Sequence, residues 1–382
     1  PFYASDGWAE SAVTISVPLG KPRPSGQQDF PPAAKFAVPG LRYRSIVDIV
    51  QRVIRTDPNV HDFHLHPFRQ YVKGQGGRPP SRVVDDIYSS DAMMEEYEAL
   101  QRSPREPGCK FERIIFALQF WSDATQLANF GSAKLWPIYM YFGNQPKWAR
   151  SRSDMHACHD IAYIPSLPST FQDFVVDQRG FPADPKLETH CRRELFHGVW
   201  KLLLDKKFIR AYKHGILIEF PDRIIRRVYL RIITYSADYP EKVIIATIRN
   251  LGICLCPRCL IVWHQIRKLG LKADTKLRIM KRRTDAGGLR SLVVKARSFI
   301  YERRQGVAST SVDAILRAES LVPTISAFSS ALGEFGFDFF LMLCIDILHE
   351  FELGVWKALL QHLIRMLHAV GENKVVELDR RY

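Results

Sequence analysis

The segment Arg113-Ile-Ile-Phe-Ala-Leu-Gln-Phe-Trp121 is apolar at almost every position, with no alternation between a wet and a dry side. Successive side chains of a strand point to opposite faces, so a strand of this kind must be covered on both. Leu135-Trp-Pro-Ile-Tyr-Met-Tyr-Phe142 repeats the pattern, and Ile224 to Tyr235 is again β-branched and aromatic. Between them Leu187, Cys191, Leu195, Val199 and Leu203 recur at helical spacing in a segment running to Tyr212. Strands, then helix, then strand is the order of a mixed α/β domain.

With 382 residues, 46% of them apolar, the chain can bury a core of enzyme size. A net charge of +14 implies an acidic partner, either nucleic acid or an anionic membrane surface. No apolar run reaches the roughly 20 residues that span a bilayer, and no signal peptide is visible in the first residues. Seven cysteines, odd in number and mostly scattered, predict a reducing compartment. Four regions are expected: an N-terminal arm with short helices over 1–108, a first core part over 109–250, a basic insertion over 251–335, and a return to the core over 336–382. Residues 18–40, with Pro18, Pro22, Pro24, Pro31, Pro32 and Pro39 among Gly20, Gly26 and Gly40, read as a linker. The missing initial Met and the abrupt Arg380-Arg381-Tyr382 end predict a fragment.

Three acids stand out by position. Asp123 directly follows the first buried strand, where the bland alternative is a Ser-Asp turn. Asp238 closes the later strand, and with Glu241 three residues on it also forms a capping box for a helix over 241–251. On a helix from about Asp346, Glu352 shares a stripe with Leu348, Val355, Trp356 and Leu359, where a carboxylate needs a cation or an ion-pair partner. Asp346, His349 and Glu352 spread over about a third of that helix's circumference, whereas Glu350 reads as a solvated residue facing Lys357 and Gln361.

Cys256-Pro-Arg-Cys259 is half of a zinc site. Cys254, His264 or the group His190, Cys191 and His197 would complete it, with a redox pair or inert buried thiols as rivals. Between Arg267 and Arg304 thirteen Lys and Arg stand against three acids. Arg267, Lys268, Lys281, Arg282 and Arg283 are the expected contacts to DNA phosphates, with a solvated face or a nuclear-import signal as the alternatives.

Tyr88-Ser-Ser-Asp-Ala-Met-Met, Glu106-Pro-Gly-Cys-Lys, Trp121-Ser-Asp-Ala-Thr-Gln-Leu-Ala-Asn-Phe-Gly, Leu135-Trp-Pro-Ile-Tyr, Tyr235-Ser-Ala-Asp-Tyr-Pro-Glu-Lys, Cys256-Pro-Arg-Cys and Asp346-Ile-Leu-His-Glu-Phe-Glu-Leu-Gly-Val-Trp-Lys together resemble the Plavaka group of fungal transposases, related to CACTA-type cut-and-paste elements. The resemblance spans nearly the whole chain. It implies a ribonuclease-H-like fold with Asp123 and Asp238 as first and second acids holding Mg²⁺ or Mn²⁺, an insertion bearing the CxxC with a structural zinc, and a D-x-x-H element at Asp346 and His349. It implies cleavage and strand transfer of transposon-end DNA by a nuclear homo-oligomer, with the chain continuing past Tyr382 and Glu352 standing in for the final acid. A DNA-binding relative without catalysis and a metal-dependent nuclease of the same fold are the competing readings.

Overall fold

The computed structural model describes residues 2–21, 30–74, 76–126 and 134–381. Pro22, Pro24 and Gly26 of the expected linker, and Leu127 to Gly131 of one family segment, lie outside the described residues. A mixed sheet of seven strands organises the fold: β1 (Trp8–Pro18), β2 (Ala33–Arg44), β3 (Glu112–Ser122), β4 (Pro137–Phe142), β5 (His159–Tyr163), β6 (Ile216–Glu219) and β7 (Ile225–Ser236), in the order β1-β2-β5-β4-β3-β7-β6. Strand β3 runs antiparallel to β4 and parallel to β7.

The unbroken apolarity of β3 has a direct cause. Ile114, Phe116, Leu118 and Phe120 face the main core, while Ile115 and Ala117 meet a second cluster with Met93 and Leu100 of helix α1 (Asp91–Arg102), so the strand is covered on both faces. Ser90 caps that helix, its Oγ accepting from Met93 N. The main face is covered by α2 (Pro185–Leu203), which buries Leu187, Cys191, Leu195, Phe196, Val199, Trp200 and Leu203. The apolar segment that continues to Tyr212 is not one helix: Asp205 starts α3 (Lys206–His214), its carboxylate accepting from Phe208 N.

Two expectations are corrected. Residues 33–40 are not linker but belong to β2, paired with β1. The register slips between Ser11 and Val13, opposite Pro39 and Gly40, and Gly40 takes φ +89°. A bulge tolerates a proline because the ladder is interrupted there. Second, the C-terminal segment lacks the expected core face. Ile347–Trp356 is wound as a π-helix rather than an α-helix, and neither it nor α8 (Lys357–Val370) buries a residue. Five turns of helical spacing in the sequence therefore do not fall on one buried stripe.

Residues 251–335 are not separate from the core throughout. Helices α5 (Gly287–Tyr301), α6 (Thr310–Leu316) and α7 (Ala327–Leu332) contribute Val293, Ala296, Ile300, Val312, Leu316 and Phe328 to the same hydrophobic cluster as the sheet. Helix α4 (Tyr239–Ile245) follows β7 and is shorter than expected, ending before residue 251. No helix of the described residues is long and apolar enough to cross a membrane.

Candidate active site

Strands β3 and β7 set the geometry. Their parallel register pairs Trp121 with Ser236, so Asp123 and Asp238, each two residues further on, leave adjacent strands at equivalent ends. Asp238 also caps α4, its Oδ1 accepting from Glu241 N at 2.9 Å, so its carboxylate is held by the helix it starts. Asp123 accepts from Thr125 Oγ1 at 3.2 Å.

Asp346 reaches this end of the sheet through a short parallel bridge between Leu343 and Tyr235, closed by Tyr235 N donating to Met342 O and Cys344 N to Tyr235 O. Asp346 binds His349 Nδ1 at 2.6 Å. That bond, together with the negative charges of Asp346, Asp123 and Asp238, raises the histidine pKa against a smaller opposing effect of burial. Asp123, Asp346 and His349 line one cleft of about 620 Å³ with Trp121, Tyr139 and Lys147.

Glu352, the remaining expected acid, is exposed, as are Leu348, Val355, Trp356 and Leu359 on its supposed stripe. The π-helical winding and the lack of a covering element leave that carboxylate in water. Glu350, expected to be solvated, pairs instead with Lys242, whose side chain is almost wholly buried in α4. This ion pair fastens the Asp346–His349 segment to the helix that Asp238 caps.

Sequence reasoning missed Glu241. A complete capping box would turn its side chain back to the Asp238 backbone. The side chain turns inward instead and is only 4% exposed. It accepts from Ser122 Oγ, which shares a 2.7 Å hydrogen bond with Tyr235 OH. Burial raises the carboxyl pKa to about 7, and Asp238 and Asp123 push in the same direction. Its Oε2 has no hydrogen-bond partner among the described residues, although the Trp136 indole lies close enough to favour the charged form. The spacing Asp238-x-x-Glu241 signalled this residue, but the inward turn was invisible without the partner strand.

Among the described residues no three His, Cys, Asp or Glu side chains converge into a ready cage for a metal ion. Asp123 and Asp238 provide two carboxylates at paired strand ends, which suits Mg²⁺, since that ion often binds through one or two carboxylates and retains water. The zinc expectation fits less well. The neighbouring Cys256 and Cys259 thiols perturb each other, which lowers the Cys256 pKa and raises that of Cys259. The suggested completing ligands are engaged elsewhere. Cys254 Sγ faces the carbonyls of Leu260 and Ala318. His190 binds Tyr301 OH at 2.8 Å, His197 binds Ile244 O and Ala327 N, Cys191 is buried in the core, and His264 is exposed beside Trp263.

The basic stretch divides into surface and scaffold. Arg267, Lys268, Lys281 and Arg282 are exposed. Arg283 is not part of that surface: it is 1% exposed and donates to the carbonyls of Cys256, Glu319 and Cys254. Two separate stretches of backbone, at Cys254–Cys256 and at Glu319, converge on it, which makes it a structural cross-link. Arg278, Arg290 and Arg297 are likewise paired, with Asp274, Asp285 and Glu194.

No curated protein matches the chain. The sequence model of one family, described as Plavaka transposase, matches residues 24–364.

Proposed function

Because the chain belongs to the Plavaka transposase family, we propose that its cleft carries out cleavage and joining of transposon-end DNA on a ribonuclease-H-like core. The observation that carries this reading is the placement of Asp123 and Asp238 at equivalent ends of the adjacent parallel strands β3 and β7. The strand order β5-β4-β3-β7, antiparallel up to β3 and parallel after it, supports the fold assignment.

Asp123 and Asp238 would hold Mg²⁺ or Mn²⁺. When bound, the ion supplies activation of the attacking oxygen and neutralisation of charge at the scissile phosphate. Lys147 on the cleft wall attracts the same phosphate, and Trp121, Tyr139 and Tyr141 offer ring faces to an unpaired base. His349, kept basic by Asp346, moves a proton between the cleft and water. Glu241 acts through Ser122, bracing the end of β3 behind Asp123. Arg267, Lys268, Lys281 and Arg282 hold DNA backbone without reading sequence. Zinc at Cys256 and Cys259 would need further donors that the described residues do not bring there, so no role is derived for it. Action on nuclear DNA, as a homo-oligomer, completes the proposal.

The test is Mg²⁺-dependent cleavage and joining of element-end DNA by the purified protein, beside Asp123→Ala and Asp238→Asn. The asparagine keeps the helix cap while removing the charge. Both variants should lose about 10³-fold or more in rate while still binding DNA. Equal activity in all three proteins would refute the assigned acids. Cleaved but never joined products would favour a nuclease, and DNA binding without chemistry in the parent would favour the non-catalytic relative.

A further inference from the structure

A second cleft, of about 530 Å³, opens where the start of α2 meets the segment before β-bridge residue Leu321 and the turn holding Arg249. Its polar lining is Lys186, Thr189, His190, Arg193, Arg249 and Asp313. Three of these are cations and one is an acid. That acid is already engaged, since Asp313 accepts from Arg249 Nη2 at 2.6 Å.

Arg193 is the anomaly. It is half-buried, and among the described residues no hydrogen bond or ion pair forms to its guanidinium. Burial lowers its pKa to about 10, and the nearby charge of Arg249 adds to the effect. A guanidinium partly withdrawn from water without a carboxylate partner, and facing a second guanidinium, is destabilising. Such an arrangement is explained when an anion occupies the space between the charges. His190, 2% exposed, lines the same cleft and adds a second unsatisfied group, because among the described residues its buried Nδ1 has no hydrogen-bond partner while Nε2 is held by Tyr301.

We propose that this cleft binds a phosphate group, clamped by Arg193 and Arg249 with Lys186 at the rim and His190 Nδ1 beneath. Two guanidinium forks match the geometry of phosphate oxygens, and the spare positive charge matches its charge. The phosphate comes either from a DNA backbone or from a free phosphate ester. The site lies apart from the acid cleft, shares none of its lining residues, and does not depend on catalysis there.

Inorganic pyrophosphate titrated calorimetrically into the protein, in buffer without divalent cations, tests the proposal. Saturable one-to-one binding is expected, weakened about ten-fold or more in Arg193→Gln and about three-fold in Lys186→Gln. Arg193→Gln should also melt no lower than the parent in phosphate-free buffer, because no partner is lost, and should lose the rise in melting temperature that pyrophosphate gives the parent. A structural arginine would do the reverse. Displacement of pyrophosphate by an unrelated DNA duplex assigns the site to backbone phosphate, and simultaneous binding assigns it to a free ester. No saturable binding, or unchanged affinity in both variants, overturns the proposal, and Asp123→Ala should bind pyrophosphate as the parent does.

Discussion

Two regions of this protein carry acids to the same end of the sheet, and they are built in opposite ways. Asp123 and Asp238 leave strands β3 and β7, whose ladder runs over ten residue pairs and whose side chains are covered on both faces. Asp346 and His349 sit at the start of a helical arm in which none of the residues from Ile347 to Arg381 is buried. Both regions are rich in apolar residues, β-branched and aromatic in the strands and mostly leucine in the arm. Apolar content therefore does not make a rigid scaffold; a second surface to pack against does. The strand acids are positioned by the core, whereas Asp346 and His349 depend on one β-bridge, their mutual hydrogen bond and the Lys242–Glu350 pair.

The widest expected separation between the regions is in stability. Phe120 packs edge-on against Trp200 at 5.0 Å with no exposed surface. Phe120→Ala should cost about 3–5 kcal/mol, whereas Leu363→Ala on the exposed arm should stay within about 0.5 kcal/mol. Urea denaturation measures both, and similar losses would mean that the arm is covered in solution. A smaller effect is expected at the tether. Glu350→Ala leaves the buried Lys242 ammonium unpaired and should cost about 2 kcal/mol, while Lys242→Met, which removes the charge itself, should cost less. The opposite ranking would show that Glu350 does not hold the arm down.

The smallest effect is pH-dependent and belongs to the core. Burial lowers the pKa of His190 and His197 to about 4. The folded state therefore binds fewer protons than the unfolded one, and the stability present above the unfolded histidine pKa is lost as pH falls toward 4. Glu241, raised to about 7, works in the other direction, gaining stability as pH falls through that value toward the ordinary glutamate range. These two losses against one gain contribute a net fall of about 1 kcal/mol per pH unit between these limits, and His159, its pKa also lowered to about 4 by burial, steepens the fall further. Glu241→Gln removes the opposing contribution and should make the fall steeper, as chemical denaturation at successive pH values would reveal. An unchanged slope would place Glu241 outside the buried network.

Much of the sheet was legible before the structure. The doubly apolar run of β3 announced an interior strand, and Ser90 and Asp238 were recognised as the residues that cap helices. The proline-rich hairpin was not legible, because Pro39 reads as a break and only the opposing strand makes it a bulge. The arm was misread for the complementary reason, since periodicity records that a helix has an apolar side but not whether anything covers it.

What the sequence by itself determined is the set of acids at strand ends and the local signals around them, since a strand's alternation and a helix cap are written within a few neighbouring residues. Which charged groups are buried, paired or left without a partner was decided only by tertiary structure. Glu241 meets Ser122 from 119 residues away and Lys242 meets Glu350 from 108. Arg283 is locked by carbonyls up to 36 residues away, and Arg193 forms no ion pair among the described residues. The cost of a buried charge depends on what the fold places within a few ångströms of it, and that neighbourhood is not encoded in any one segment of the chain.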